Sequence, residues 1–226
     1  VEQMLVCPAC RVGLKATDDP NKLSCPKCLA TYGSDNGIFL LFRRHDEGPD
    51  ITGTVKSFYE RNPFPNYEEF DSRNSFRQKA RDGIFARLLD EQIPPTAKVL
   101  EIGCGTGQLS NFLAMSSNRE IWATDMTLNS LKLGQDFMEK NKIDRVHFLQ
   151  MNLFQPVFRE AGFDVVIASG VLHHTGNTRL AFQTMARLVK PGGYIIVGLY
   201  NKFGRFWTGI RRVIFSLVPR SFLLLG

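Results

Sequence analysis

Val99-Leu-Glu-Ile-Gly-Cys-Gly-Thr-Gly107 is a short apolar run that breaks into three alternating glycines. The run reads as a buried strand. The glycines read as a tight turn into a helix, because a residue without a Cβ permits the turn and lets a ligand approach the amides. Downstream, apolar runs at 121–124, 146–149, 163–169 and 194–199 alternate with segments of helical period that end near Met115, near Lys140 and near Val189. Strand and helix in this alternation predict βαβ units: an α/β, doubly wound, mostly parallel sheet covered on both faces. This core spans residues 98–200.

Upstream of the core, Phe76, Ala80, Ile84, Phe85, Leu88 and Leu89 recur at helical intervals and predict one helix over 76–89. Before it, Phe58, Tyr59, Phe64 and Tyr67 crowd around Pro63 and Pro65, which interrupt any helix and leave an aromatic turn. Residues 55–97 are therefore expected to be a helical lid or substrate region. The polar, breaker-bearing stretch 43–54 reads as a linker. Residues 1–42 hold four of the five cysteines, Cys7, Cys10, Cys25 and Cys28, as two Cys-Pro-x-Cys turns fourteen residues apart. So short a segment has too little apolar material to fold unaided. Two such turns each present a thiolate pair to one tetrahedral Zn²⁺, and the ion supplies folding energy that packing cannot. Disulfides are the competing reading. The module is expected to be separable, its loss leaving the rest of the chain largely intact.

The chain has 226 residues, 43% hydrophobic and 22% charged, which excludes broad disorder and leaves room for a real core. Its formal charge is +6, but residues 201–226 carry Lys202, Arg205, Arg211, Arg212 and Arg220 and no acid, so residues 1–200 are near neutral. That body is no polycation for nucleic-acid phosphates. There is no apolar stretch of membrane-spanning length and no signal-like opening, so a cytoplasmic setting is expected. In the tail, Phe206, Ile210, Val213 and Leu217 oppose Arg205, Thr208, Arg212 and Ser216, an amphipathic basic helix that reads first as the next crossover helix of the sheet and otherwise as suited to a membrane surface, a partner or a second copy.

Chemistry is expected at the carboxyl ends of the strands. Glu101 stands two residues before the first glycine, where it would repel a pyrophosphate and suit an ammonium or sulfonium. Asp125 follows Gly103 by 22 residues, the usual place for an acid that accepts ribose hydroxyls. Asn152 closes the third strand, within reach of an adenine edge. Ser169-Gly-Val-Leu-His-His-Thr175 follows the fourth, and His173 and His174 are of the residue type that serves as a base, or else they are pocket wall.

With 121–125, Gln150-Met-Asn-Leu153, 163–174 and 186–196, this set resembles the class I S-adenosylmethionine-dependent methyltransferases across about residues 55–200. The resemblance implies a Rossmann-like fold in which Glu101, Gly103, Cys104 and Gly105 line the methionine end of S-adenosylmethionine. It also implies that Gly107 completes the turn, Asp125 holds the ribose, and Met126, Asn152 and Leu153 flank the adenine. Ser169 and the histidines would then stand near the methyl group. Phe58, Tyr59 and Tyr67 resemble the aromatic lids of small-molecule methyltransferases, and Leu23–Leu41 resembles zinc ribbons. The implied function is methyl transfer to a small-molecule acceptor, with ribosomal or transfer RNA methylation as the alternative and a non-catalytic, partner-recruiting activator as the third reading. Such domains usually add two strands after the helix that follows 194–199, so the C-terminal strands are expected to be missing. Val1 in place of Met agrees with a partial or processed chain.

Overall fold

The computed structural model describes residues 4–44, 51–67 and 72–199; the middle of the expected linker and the whole basic tail lie outside the described residues. Within them the strands are β1 (Lys15–Ala16), β2 (Lys22–Ser24), β3 (Thr31–Asp35), β4 (Ile38–Leu40), β5 (Lys98–Ile102), β6 (Glu120–Asp125), β7 (Val146–Gln150), β8 (Phe163–Ser169) and β9 (Val189–Gly198). The helices are α1 (Ile51–Arg61), α2 (Arg73–Asp82), α3 (Ile84–Gln92), α4 (Gln108–Met115), α5 (Leu128–Lys140) and α6 (Thr178–Ala186). All nine strands form one sheet in the order β1-β2-β3-β4-β7-β6-β5-β8-β9. From β4 to β9 every neighbour is parallel, and β1 to β4 are antiparallel. The expected Rossmann-like α/β fold is present.

Side-chain alternation divides the core in two. Val99, Ile121, Ala123, Val165 and Ile167 point to one face, against Phe76, Phe112, Leu113, Leu131 and Phe137 from α2, α4 and α5. Leu100, Ile102, Trp122, Val166 and Ala168 point to the other. There α6 supplies Ala181 and Met185, and the N-terminal module supplies Leu5, Cys7, Leu14, Leu23, Cys25 and Leu41. The period of two that makes the strands two-faced thus fixes what each side must bury.

The N-terminal module is continuous with this sheet. A turn at Asn36 and Gly37, with φ of 51° and 80°, joins β3 to β4. Both residues are left-handed, as a two-residue hairpin turn of matching twist requires. β4 then pairs in parallel with β7, Phe39 opposite Leu149 and Leu40 opposite Gln150. The Val6 amide donates to the Val157 carbonyl at 2.8 Å, and the Arg11 guanidinium donates to the carbonyls of Pro156 and Phe158.

Three local expectations change. The helix expected over 76–89 breaks at Gly83, whose ψ of 118° is extended, so α2 and α3 are separate helices meeting at a corner. Propensity at a lone glycine yields here to packing: α2 has its own start, with Ser72 and Ser75 capping each other. α1 opens at Ile51, inside the span read as linker. β9 begins at Val189 rather than Tyr194, with an irregularity opposite Phe163 and Val165, and is the sheet edge among the described residues.

Arg119 fastens α3 to the sheet. It is 2% exposed, and its guanidinium donates to the Asp90 carboxylate (2.6 Å) and to the carbonyls of Asp90, Ile93, Pro94 and Leu113. Such a group is stabilising only while every donor is satisfied, and removing it strands a buried carboxylate and four carbonyls. Arg119→Ala is expected to cost about 3–5 kcal/mol in urea unfolding. A loss below about 1 kcal/mol, the value of an exposed pair, would show that the cluster is solvated.

Candidate functional site

Strand order reverses at β5, with β6 and β7 on one side and β8 and β9 on the other. At such a reversal the loops leaving neighbouring strands part, and a crevice opens beyond their carboxyl ends. The glycine turn lies there, its Gly103 and Cys104 amides donating to the Thr124 carbonyl at 2.7 and 3.0 Å. Gly105 has φ of 56°, and a Cβ on it would run into the carbonyl oxygen of Phe64. A side chain at Gly103 would likewise strike Val171.

A cavity of about 560 Å³ fills this crevice, within the usual size of small-molecule sites. Of the residues singled out in the sequence, Glu101, Gly103, Cys104, Gly105, Asp125, Met126, Asn152, Leu153, Ser169, His174 and Tyr59 line it. Gly107, Phe58, Tyr67 and His173 are not in its wall. The remaining wall is largely apolar, including Phe64, Phe76, Phe85, Ala86, Phe112, Met151, Phe154 and Val171, with Lys79 among them.

Two carboxylates mark the polar end. Glu101 is 7% exposed and accepts the Ser110 hydroxyl at 2.5 Å. Burial pushes its carboxyl up to about 7, against that hydrogen bond and with the nearby Asp125 charge adding to the rise. Asp125 accepts the Gly105 amide (2.9 Å), the Thr127 amide (2.9 Å) and the Thr127 hydroxyl (2.7 Å). Burial raises its pKa too, opposed by those bonds. A carboxylate offers about four acceptor sites, and the Met126 amide is a further donor to this one, so an incoming diol must displace donors already present. Asn152 is similarly engaged: its amide donates to the Arg43 carbonyl (2.8 Å) and its oxygen accepts the Phe154 amide (3.0 Å). Burial holds the Cys104 thiol well above its ordinary pKa, hence protonated.

The segment 58–67 lies directly over the glycine turn. Thr106 donates its hydroxyl to the Pro65 carbonyl (2.6 Å), Gln108 its side-chain amide to Asn66 (2.7 Å), and Tyr67 its hydroxyl to the Thr106 carbonyl (2.9 Å). Tyr67 also stacks on Phe137 at 4.2 Å between centroids, so it anchors the segment rather than facing the cavity. Glu60 was not legible as functional. Its carboxylate accepts the Leu128 and Asn129 amides at 3.0 and 3.1 Å, capping an α5 start that has no side-chain cap of its own. No local motif marks a cap supplied from 68 residues away. His173 and His174 share a short 3₁₀ turn with ring centroids 4.1 Å apart, and only His174 reaches the cavity.

The four N-terminal cysteines converge elsewhere, their sulfurs all within 4.8 Å of one another. Cys7 and Cys28 lie 3.7 Å apart and Cys10 and Cys25 3.2 Å apart, too far for disulfides. Each turn is built alike: the residue after its second cysteine, Arg11 or Leu29, has φ near 60° and returns its amide to the first cysteine's carbonyl at 2.9 Å. Ala9 and Cys28 point amides at the first sulfur of each pair, at 3.4 and 3.5 Å, and the Tyr32 hydroxyl lies 3.1 Å from the Cys7 sulfur. Donors aimed at sulfur favour thiolates, so the set fits a tetrahedral soft-metal site.

Residues 94–209 match the family model described as a methyltransferase domain. The chain is 27% identical over 137 residues to demethylmenaquinone methyltransferase of Bacillus velezensis, covering 59% of this chain and 58% of that protein. It is 29% identical over 111 residues to ubiquinone biosynthesis O-methyltransferase of Cronobacter sakazakii, covering 49% and 45%. The chain thus spans about half the length of these relatives. Magnesium protoporphyrin IX methyltransferase from Synechocystis, solved with bound S-adenosylhomocysteine, shares the fold with a TM-score of 0.54 at 20% identity, over 74% of this chain and 80% of that one. With half of its length matched by the family model and the sheet order and glycine turn in place, this chain belongs to the class I S-adenosylmethionine-dependent methyltransferases.

Proposed function

We propose that this protein transfers the methyl group of S-adenosylmethionine to a small, largely apolar acceptor. The observation that carries the reading is the cavity's polarity. A buried carboxylate, Glu101, and a half-buried one, Asp125, close one end, and aromatic side chains wall much of the rest. Among the described residues Glu101 has no cationic partner in an ion pair, so a ligand with an ammonium and a sulfonium supplies the missing charge. Asp125 then accepts ribose hydroxyls in place of donors it now holds, Met126 and Leu153 flank the adenine, and Gly103 and Gly105 leave backbone space at the methionine end. S-adenosylmethionine supplies an activated methyl carbon, which an acceptor lone pair attacks as the carbon–sulfur bond breaks and its electrons pass to sulfur.

The protein's share of such a displacement is alignment and exclusion of water. Tyr59, Phe64 and Phe85 hold an apolar acceptor, and the tie between the 58–67 segment and the glycine turn keeps the wall closed. Where the acceptor atom carries a proton, His174 receives it, since it alone of the two histidines lines the cavity. We propose further that Cys7, Cys10, Cys25 and Cys28 hold one zinc ion as thiolates, a structural site.

Calorimetry with S-adenosylhomocysteine tests the cofactor site. A charged hydrogen bond is worth about 1.5–3 kcal/mol, so Asp125→Ala is expected to weaken binding about 10–100-fold with the far-UV spectrum unchanged. Unaltered affinity would remove Asp125 from the site. Glu101 gives a pH signature. Its carboxyl titrates near 7 in the free protein, so it is neutral at pH 6 and the ligand's cations lose their counter-charge. Affinity for S-adenosylmethionine should therefore fall up to about tenfold per unit as the pH drops below 7. Glu101→Gln should be weak and flat over about pH 5.5–7.5, where the ligand's ammonium stays protonated, and a pH-dependent Glu101→Gln in that range would assign the titration elsewhere.

Elemental analysis should find one zinc per chain. Because β4 pairs with β7 and Arg43 holds Asn152, chelation is expected to lower the melting temperature of the whole protein and to weaken cofactor binding. Zinc removal that leaves both unchanged would show that the β7 end of the site stands without the module.

A further inference from the structure

α2 and α3 meet at Gly83 and form a corner beside the cavity. On α3, Ile84, Phe85 and Leu88 are 67%, 47% and 48% exposed, while Leu89 faces the core. At 3.6 residues per turn these three fall within an arc of about 100°, opposite the buried face. A helix with two apolar faces has one more than its own fold uses. Phe85 also lines the cavity, as does Phe64, which is 70% exposed. The apolar stripe therefore runs into the mouth of the cavity.

Around the stripe the bases outnumber the acids. α2 and α3 carry Arg73, Arg77, Lys79, Arg81 and Arg87 against Asp82, Asp90 and Glu91; the Asp82 carboxylate accepts the Gln78 amide at 3.0 Å, Asp90 is held by Arg119, and Glu91 lies 4.0 Å from Arg87. Arg73, Arg77 and Arg81 stand at i, i+4 and i+8, all exposed. Like charges at that spacing destabilise a helix, so α2 gains nothing from them internally. The acids Glu68, Glu69 and Asp71 precede α2, outside the described residues. Arg81 lies about 12 Å along the axis from the helix start, beyond a Debye length in physiological salt.

An exposed apolar ridge bordered by arginines matches a surface that is apolar below and anionic above. We propose that the α2–α3 corner docks on an anionic lipid bilayer, with Ile84 and Leu88 entering the acyl boundary and Arg77 and Arg81 meeting the headgroup phosphates. A lipophilic acceptor then reaches the cavity past Phe85 and Phe64 without crossing water. This entry route rests on the methyl-transfer reading; the docking does not. An RNA surface would use the arginines but not the aliphatic ridge.

Co-sedimentation with vesicles of phosphatidylcholine alone, or with phosphatidylglycerol added, tests docking without any acceptor. The full chain is expected to pellet with the phosphatidylglycerol vesicles and to be released by salt. The Ile84→Asp/Leu88→Asp variant should bind at least tenfold more weakly, and so should Arg77→Glu/Arg81→Glu. Both should keep wild-type affinity for S-adenosylhomocysteine, which certifies their fold. No binding to either vesicle, or vesicle binding unaltered by both variants, would overturn the proposal; the second result would place the contact elsewhere, as on the basic tail. Capture of single-stranded RNA that Arg77→Glu/Arg81→Glu abolishes and Ile84→Asp/Leu88→Asp leaves intact would overturn it in favour of a nucleic-acid surface. Loss of cofactor affinity in wild type would instead strike the methyl-transfer reading and leave docking standing.

Discussion

A parallel sheet must be covered on both faces, and the rest of this molecule follows from how that requirement is met. β5, β6 and β8 send alternate side chains to opposite sides, so neither face tolerates water. One face is covered by α4 and α5 from within the α/β succession and by α2 from the region before it. The other is covered partly by α6 and partly by the cysteine module, whose Cys7 and Cys25 are as buried as Trp122. A segment too short to fold alone thus gains stability by lending its few apolar residues to a larger core. Its converging cysteines are then part of the wall of that core.

This arrangement ties distant parts of the chain to the ligand crevice. The module's last strand pairs with β7, and the next residues place the Arg43 carbonyl on Asn152, at the crevice edge. From the opposite side, Glu60 caps α5 directly after the strand end that carries Asp125, while Phe64 and Pro65 rest on the glycine turn. Each contact is worth only about 1 kcal/mol net. Together they mean that the crevice floor, its lid and the cysteine module share donors and acceptors, so a change in one is felt in the others.

The sequence shows most clearly what short-range physics determines. Alternation of apolar runs with helical segments located β5 to β8, α4 and α5 within a residue or two, and the left-handed glycines stand where the glycine turn was expected. Cysteine spacing likewise foretold the converging sulfurs. What stayed hidden depends on contacts distant in sequence. Nothing in Ile38–Leu40 says that its partner is β7 rather than solvent, nothing in Glu60 says that it caps a helix 68 residues on, and a helical period over 76–89 conceals the corner at Gly83. Tyr67 was expected in an aromatic lid, and its segment does lie over the glycine turn, but the sequence did not show that the ring itself stacks on Phe137. Aromatic composition marks burial without saying which side of a wall is buried.

In the proposed reading, the two carboxylates account for the class of ligand that this version of a versatile fold takes. A doubly wound sheet with a glycine turn commonly receives a pyrophosphate on its helix N-terminus. Here Glu101 stands on the last turn of strand before those amides, with Asp125 near enough for each charge to raise the other's cost of ionisation. An anionic ligand would add a third negative charge in a place of low dielectric, at several kcal/mol for neighbouring charges at an effective dielectric of about 20. A cation reverses the sign: it lets Glu101 ionise, and the burial that raised the pKa of Glu101 then strengthens the attraction. In the proposed reading, the same desolvation that makes the free site uncomfortable for a carboxylate makes the loaded site favour positive charge.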